Sequence, residues 1–255
     1  MKTHPAFTLL VAWLMFTAGV TGAAQLDSIE AAIQNSHRAA ANVERDGARK
    51  PAQVLDFIGL HPGDVVLDYG AGGGYWTELF STAVGAEGKV YAQQRAGERF
   101  ESQKAMLTEQ FAPFGNVELM PLATGMALPL DSDSVDTVML SYLFHHMHYA
   151  DGSGDAFPDS TRALFGEFRR VLKPGGTLIV IEHVAADGAS RAQSASWHRT
   201  PPATAQADIT STGFDFAGEA PDIFYNPEDD LMNNWNQTGM RGKTTSFVHK
   251  YRKPD

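Results

Sequence analysis

The most informative segment of the chain reads Val65-Val66-Leu67-Asp68-Tyr69-Gly70-Ala71-Gly72-Gly73-Gly74. Its first half is a nearly continuous apolar run, which is typical of a strand buried in a parallel sheet. Its second half is a glycine-rich turn, and the residues from about Tyr75 to Val84 predict a helix after it. Glycine permits tight turns and brings backbone N–H groups close to a ligand. The segment therefore predicts a ligand site at the carboxyl end of a strand.

Strands and helices alternate on both sides of this segment. Apolar runs predict strands at 89–92, 117–120, 135–140 and 177–182, and helical spacing predicts helices at 51–58, 97–111 and 160–172. This alternation predicts βαβ units, and hence a parallel sheet with helices on both faces. In the less regular C-terminal part we expect a helix over 203–212, a long loop over 218–245 and an edge strand over 245–251.

The N-terminus has the layout of a secretory signal peptide. Lys2 and His4 precede an apolar run from Ala6 to Val20, and small residues follow it as far as Ala24. We expect residues 1–24 to be removed and the mature protein to be exported, which in a bacterium places it in the periplasm. An uncleaved membrane anchor is the alternative. We expect residues 25–255 to form a single domain that begins with a helical segment over 25–50.

The composition excludes several classes of protein. The chain carries 20 Lys and Arg against 30 Asp and Glu, a formal net charge of −10, which argues against broad nucleic-acid binding. It contains no cysteine, so disulfides, thiolate metal sites and a cysteine nucleophile are excluded. The mature chain has no apolar run near the ~18 residues that a membrane span needs.

Two patterns compete for the glycine-rich turn. The dinucleotide fingerprint needs a glycine where Tyr75 stands and an acid at the end of the second strand, where the sequence has Gln93-Gln94. The pattern acid-x-Gly-x-Gly-x-Gly is matched at every position, by Asp68, Gly70, Gly72 and Gly74. The turn therefore favours the second pattern over NAD binding.

With this turn the sequence resembles the class I S-adenosylmethionine-dependent methyltransferases over roughly residues 45–183. Three other segments carry the resemblance, namely Leu128–Asp136 before the fourth strand, Phe144–His146 after it, and Phe168–Gly176 before the fifth strand. More narrowly, the chain resembles a group of predicted exported methyltransferases that bear signal peptides. The residues that fit this narrower group are Arg45-Asp46, Arg49–Pro51 and Lys250–Pro254.

The resemblance implies a Rossmann-like α/β fold with a seven-stranded, mostly parallel sheet, helices on both faces and an antiparallel last strand. It also implies S-adenosylmethionine as the cofactor. Asp68 would organise the turn and face the amino-acid end of the cofactor. The backbone contacts would come from the turn itself, at Gly70, Ala71, Gly72 and Gly74.

The resemblance assigns three more cofactor contacts at the ends of the other strands. The family usually has an acid at the position of Gln94, which accepts both ribose hydroxyls. Glutamine accepts one hydrogen bond and donates another, which predicts weaker binding. An acid often contacts the adenine near the position of Thr124, and Ser141 would contact the cofactor or substrate at the end of the fourth strand.

Candidate catalytic residues follow the fourth and fifth strands. His145 and His146, with His148 nearby, come just after the fourth strand, and histidine is a natural base where the methyl acceptor must lose a proton. Glu182 and His183 end the fifth strand at the same edge of the sheet. For all of them, a structural role at a strand end is the alternative.

Five other residues are weaker candidates for a substrate pocket. Arg45 and Arg49 either bind a substrate carboxylate or lie on an exposed helix face, and the sequence favours the exposed face. His198, Arg199 and Tyr225 could line the pocket, but nothing in the pattern places them.

A metal site is the alternative use of the histidine-rich segment. Imidazole and carboxylate groups suit transition metals, and His148, Asp151 and Asp155 extend the set. No standard ligand spacing is matched, so we predict no metal site. The segment from Asp151 also departs from a calcium loop, because Ala156 stands where that loop needs glycine.

The sequence thus supports two hypotheses. The first is an exported methyltransferase that transfers the methyl group of S-adenosylmethionine to a small molecule. The alternative is a non-catalytic exported ligand-binding protein that retains the methyltransferase fold. Fold alone does not identify the acceptor.

Overall fold

The computed structural model describes residues 18–149, 156–237 and 239–255, except the side chains of residues 18–24, 148 and 149. In this described part, no helix is both long enough and apolar enough to cross a membrane. Most of the predicted signal peptide lies in residues 1–17, outside the described residues, and it stays a prediction.

The helices and strands follow one another in the predicted α/β alternation. In chain order they are α1 (Ala18–Gln34), α2 (Ala40–Val43), α3 (Asp46–Arg49), α4 (Pro51–Ile58), β1 (Val65–Tyr69), α5 (Tyr75–Val84), β2 (Lys89–Arg95), α6 (Glu98–Phe111), β3 (Val117–Leu122), β4 (Val135–Ser141), α7 (Asp159–Val171), β5 (Leu172–His183), α8 (Arg191–Trp197), α9 (Pro202–Thr210), β6 (Asp215–Glu219) and β7 (Ser246–Arg252). Short 3₁₀ helices span Ala112–Phe114 and Phe144–Tyr149.

The strands form one seven-stranded sheet in the order β3-β2-β1-β4-β5-β7-β6. Strands β1 to β5 pair in parallel, and β7 is antiparallel to both of its neighbours. The predicted mostly parallel sheet with an antiparallel last strand is therefore confirmed. Because the strand order reverses between β1 and β4, a crevice forms there at the carboxyl edge of the sheet.

Each face of the sheet is covered by a separate apolar cluster. Along β5, Leu178 and Val180 point to one face and Ile179 to the other, as strand geometry requires. Helices α1, α4 and α5 pack on the face of Ile179, and α7 and α9 pack on the opposite face. The strands are buried on both faces, which explains their nearly continuous apolar sequences.

Three segments differ from the sequence-based prediction. The strand expected at the edge of the sheet over 245–251 is β7, which lies between β5 and β6, and β6 is the edge strand. The helical segment expected over 25–50 is divided into α1, α2 and α3, with a turn at Asn35 and a left-handed residue at Lys50. Strand β5 begins at Leu172 rather than at residue 177. The Gly176 carbonyl accepts from the Lys253 N–H (2.9 Å), so this ladder holds the Pro-Gly-Gly segment extended.

The glycine at the start of α5 is required by both its conformation and its surroundings. Gly74 has φ +76°, and a Cβ atom there would overlap the ring of the buried Phe111. Gly59, at the end of α4, has nearly the same φ of +75° but has no atom within 4 Å of such a Cβ. Alanine substitutions at the two positions therefore distinguish the cost of backbone strain, present at both, from the cost of steric overlap, present only at Gly74.

We expect Gly59→Ala to lower the free energy of unfolding by about 1–2 kcal/mol, the cost of a left-handed non-glycine residue. Gly74→Ala should cost about 1–3 kcal/mol more, because the methyl group also displaces Phe111. Urea denaturation of the two variants and the parent protein measures the difference. Equal losses would mean that Phe111 moves aside at no cost.

Candidate active site

The predicted site residues lie along the carboxyl edge of the sheet. The glycine turn follows β1, Gln94 lies near the end of β2, Ser141 ends β4 and His183 ends β5. Thr124 lies in the loop after β3 and is exposed. Parallel pairing brings these strand ends to the same edge, although they are far apart in sequence.

The two glutamines near the end of β2 hold the glycine turn in place. The N–H of Gly70 donates to Oε1 of Gln93 (2.9 Å), and the N–H of Ala71 donates to the backbone oxygen of Gln93 (2.9 Å). Nε2 of Gln94 donates to the carbonyl of Gly72 (2.9 Å). Among the described residues, nothing donates to Oε1 of Gln94, so this oxygen is the acceptor left for a ligand.

The middle of the turn leaves open space. A Cβ atom at Gly73 would have no neighbour within 4 Å, and one at Gly72 would meet only the Gly70 oxygen, at 3.9 Å. At Gly70 the side chain of Leu143 already fills the space. The turn is therefore open to a ligand at Gly72 and Gly73, and packed against the β4 side at Gly70.

Asp68 lies beneath the turn, and its carboxylate is buried. Oδ2 accepts a hydrogen bond from Oγ1 of Thr77 in α5 (2.6 Å), which ties the strand to the helix. Burial raises the pKa of Asp68 to about 6, against the opposing effect of the bonds to Thr77. Asp68 thus joins β1 to α5 beneath the turn, and its role in organising the turn and its contact with a cofactor stay predictions.

A cavity of about 890 Å³ opens beside this edge. It lies where the ends of β4 and β5 meet the segment of α2 and α3 and the loop that precedes β7. Its size is that of a site for a small molecule. The lining includes Arg45, Arg49, Tyr142, His145, His146, His183, His198, Trp235 and Arg241.

The N-terminal segment is fixed over the cavity by Asp46. This carboxylate accepts two hydrogen bonds from Arg38 (2.8 and 2.7 Å) and one from the hydroxyl of Tyr75 in α5 (2.8 Å). Nδ2 of Asn42 adds a bond to the carbonyl of Gly73 (3.2 Å). The segment that carries Arg45 is therefore tied to the glycine turn and its helix.

Three arginines make one part of the cavity positive. The guanidinium of Arg49 lies 4.7 Å from the ring centre of Tyr142, and its Nη1 donates to Oγ of Ser141 (3.4 Å). Burial lowers the pKa of Arg45, and the charges of Arg49 and Arg241 lower it further. Within the described residues, none of the three arginines has an ion pair with a carboxylate.

Glu182 and His145 form a buried pair in the cavity wall. Nδ1 of His145 lies 2.9 Å from Oε2 of Glu182. The carboxylate also accepts from the backbone N–H groups of His145 (3.0 Å) and His183 (2.7 Å). Burial alone would raise the pKa of Glu182, but His145 and His183 lower it to about 2. Glu182 is fully buried and outside the cavity lining, so it positions His145 rather than acting directly on a substrate.

His183 faces the cavity from the end of β5. Its Nδ1 is 2.8 Å from Oγ1 of Thr244, and its ring stacks on Tyr142 with centroids 4.3 Å apart. Burial lowers the pKa of His183 to about 3, so the imidazole is neutral at pH 7. His183 therefore has a fixed orientation and an uncharged ring.

The structure brings together some residues that the sequence left apart. Arg45 and Arg49 line the cavity, so the favoured prediction of an exposed helix face is wrong for both. His198 lines it as well, whereas Tyr225 is exposed and outside the lining. Arg199 is also outside the lining, because it is buried in an ion pair with Asp229 (2.6 Å). Sequence reasoning missed Trp235 and Arg241, because their loop has no periodic pattern. The metal hypothesis with His148, Asp151 and Asp155 falls on side chains outside the described residues.

Comparison with known proteins finds sequence similarity to methyltransferases in the central part of the chain. The family model described as a methyltransferase domain matches residues 67–180, from β1 into β5. The chain is 33% identical over 131 residues to a demethylmenaquinone methyltransferase of Lactococcus lactis. It is 32% identical over 130 residues to a ubiquinone/menaquinone biosynthesis C-methyltransferase of Francisella tularensis. Both alignments cover 51% of this chain and only 46% and 47% of the relatives, so the chain spans about half the length of the curated relatives it matches.

Solved structures share the fold over more of the chain. A SAM-dependent methyltransferase from Aquifex aeolicus superposes with a TM-score of 0.56 at 20% identity, covering 82% of this chain and 97% of that one. The 1,6-didemethyltoxoflavin-N1-methyltransferase of Burkholderia thailandensis, solved with S-adenosylhomocysteine bound, has a TM-score of 0.51 at 16% identity and covers 96% and 94%. At these identities the likeness establishes the Rossmann-like methyltransferase fold. The family match adds that residues 67–180 are similar to a methyltransferase domain.

We expect Glu182→Ala to lower the free energy of unfolding by about 3–5 kcal/mol, as removal of one partner from a buried pair does. The change leaves two buried N–H groups without an acceptor and His145 without its carboxylate. Glu219→Ala is the matched control, since Glu219 lies 3.6 Å from His249 but its side chain is 54% exposed. That variant should stay within about 0.5 kcal/mol of the parent in the same urea denaturation. Similar losses in both would contradict a structural role for Glu182.

Proposed function

We propose that this protein transfers the methyl group of S-adenosylmethionine to an anionic, planar small molecule that binds in the cavity. The observation that carries the proposal is the position of the cavity. It opens beside the glycine turn of a methyltransferase domain, and its walls hold arginines, histidines and aromatic rings. Cofactor and acceptor would thus meet at one edge of the sheet, where much of the catalysis is positioning.

The residues of the turn fit this cofactor. Gly72 and Gly73 leave open space above the backbone, and Gln94 presents an acceptor oxygen at the end of β2. Gln94 would accept one ribose hydroxyl bond, where a carboxylate would accept two. When bound, the cofactor supplies an electrophilic methyl carbon, whose bond to the positive sulfur breaks as the acceptor atom attacks it.

The charge of the cavity supports an anionic acceptor. Arg49 and Arg241 are close enough to Arg45 to lower its pKa. An anion that binds among the three arginines would therefore relieve their mutual repulsion. Guanidinium groups bind carboxylate and phosphate groups through paired hydrogen bonds. The acceptor would therefore carry a carboxylate, a phosphate or a similar oxyanion.

Stacked rings support a planar acceptor. Tyr142 stacks on His183, and the ring of Trp235 lies 4.6 Å from that of His183. The Francisella tularensis relative is named as a C-methyltransferase of ubiquinone and menaquinone biosynthesis. That name supports a carbon atom of the substrate as the methyl acceptor in the reaction of this protein.

His183 is placed to take the proton that such an acceptor loses. Nδ1 is engaged by Thr244, which leaves Nε2 toward the cavity. A neutral imidazole with a low pKa is a weak base. It suffices here because the departing proton becomes strongly acidic once the acceptor atom carries the new methyl group.

Titration with S-adenosylhomocysteine, followed by calorimetry, tests the cofactor assignment. We expect one site per chain, and Gln94→Ala should weaken binding about 2- to 10-fold, since one hydrogen bond contributes about 0.5–1.5 kcal/mol. Gln53→Ala, at an exposed glutamine of α4, is the control and should bind as the parent does. A parent protein that fails to bind at millimolar ligand would instead support the non-catalytic ligand-binding alternative.

Calorimetry with 4-hydroxybenzoate, in the presence of S-adenosylhomocysteine, tests the acceptor class. We expect Arg49→Met to weaken binding at least tenfold, because a hydrogen bond between charged groups contributes about 1.5–3 kcal/mol. Arg99→Met, at an exposed arginine of α6, should leave the affinity unchanged. 4-Hydroxybenzamide, which has the same shape without the charge, should bind weakly to every variant. Equal binding of acid and amide by the parent protein would contradict an anionic acceptor.

We also propose export, on the support of the sequence of residues 1–24. Expression of the whole chain in a bacterium, followed by mass determination of the protein in the periplasmic fraction, tests this. A protein that begins near Gln25 is the expected product. Recovery of the uncut chain in the cytosol would contradict export.

A further inference from the structure

We propose that His145, His146 and His198 form a binding site for a divalent transition metal, with Zn²⁺ as the ion it suits best. One ring nitrogen from each of the three residues lies within 4.8 Å of the others. The rings are grouped around one point of the cavity wall, with centroids 4.1 Å apart for His145 and His146 and 5.2 Å apart for His145 and His198. Metal binding at this point does not depend on the proposed methyl transfer.

The spacing of the nitrogens needs only a small adjustment. Tetrahedral zinc with Zn–N bonds of about 2.0–2.1 Å places its nitrogen ligands about 3.4 Å apart. The widest separation in the cluster would close by about 1.4 Å, which a rotation of the side chains provides. Adjacent histidines do not ordinarily face the same point, but the rings of His145 and His146 lie 4.1 Å apart at the start of the 3₁₀ helix Phe144–Tyr149.

A second observation that points to a metal is the carboxylate behind the cluster. Metal-binding histidines commonly direct their other ring nitrogen to a carboxylate, which fixes the ring orientation and the tautomer. Glu182 is fully buried at 2.9 Å from Nδ1 of His145, and no other described residue bonds this nitrogen. Nε2 is then the nitrogen of His145 that remains for an ion. The buried carboxylate of Glu182 would therefore fix the ring orientation of His145 as a metal ligand.

The backbone of the third ligand has a left-handed conformation. His198 has φ +54° at the end of α8, where helices commonly end on a left-handed residue, and histidine adopts this conformation more readily than most residues other than glycine. Its carbonyl accepts a hydrogen bond from Nε1 of Trp235 (3.0 Å). The imidazole of His198 lies against the rings of His145 and His146.

The ligand set indicates what the ion would do. Three imidazoles with a fourth position open to solvent are typical of catalytic rather than structural zinc sites. All three histidines line the same cavity as Arg45 and Arg49. An anion bound to the arginines could complete the coordination through an oxygen. If the proposed function holds, the ion would orient the acceptor and stabilise its deprotonated oxygen.

Titration of the untagged, metal-free protein with Zn²⁺, followed by calorimetry, tests the site. We expect one ion per chain and at least a tenfold loss of affinity in His146→Gln and in His198→Asn. Asparagine tolerates the left-handed conformation, so the second variant keeps the end of α8 and is expected to fold. His61→Gln, at an exposed histidine after α4, is the matched control and should retain the affinity of the parent.

Co²⁺ in place of Zn²⁺ gives a second readout, because four-coordinate Co²⁺ absorbs visible light much more strongly than hydrated Co²⁺. We expect this absorption in the parent protein and in His61→Gln but not in the two ligand variants. Weak binding of several ions, or binding equal in all variants, would overturn the proposal. S-adenosylhomocysteine binding by the same metal-free protein separates failure of the metal site from failure of the proposed function.

Discussion

Parallel pairing of β1 to β5 is the constraint on which the site depends. It directs the carboxyl ends of these strands to one edge, and the reversal of strand order between β1 and β4 opens that edge to a ligand. The glycine turn, Gln94, Ser141 and His183 all gather there because of this topology. These residues belong to the ends of different strands that are far apart in the sequence. The site therefore forms only when the sheet is assembled.

The segment that precedes the sheet forms one wall of the cavity at this edge. Asp46 joins Arg38 to Tyr75, and Asn42 bonds the carbonyl of Gly73, so α2 and α3 are attached to the same turn that would hold a cofactor. Burial would raise the pKa of Asp46, but the hydrogen bonds from Arg38 and Tyr75 and the charge of Arg38 lower it, which keeps this carboxylate charged. A ligand bound at the turn would therefore also stabilise the segment that carries Arg45 and Arg49.

The sequence predicted the helices whose ends are marked by proline or glycine residues. Pro51 and Gly59 bound α4, and Gly74 begins α5, as the sequence indicated. The early start of β5 was not predictable, because Pro-Gly-Gly ordinarily ends an element and only the pairing with the C-terminal residues keeps it extended. The same limit applies to the site. Histidines that follow strands were found from the strand pattern, but Trp235 and Arg241 lie in a loop whose course is set by tertiary contacts.

The charges of the cavity differ in sign from those of the chain as a whole. The chain carries a formal net charge of −10, yet three arginines face the cavity without a carboxylate partner among the described residues. Glu182, the acid behind His145, is buried and committed to His145 and two backbone N–H groups. Its charge therefore orients the histidine without neutralising the arginines. Such a charge distribution favours anions over cations, and a divalent ion held by the three histidines would strengthen that preference.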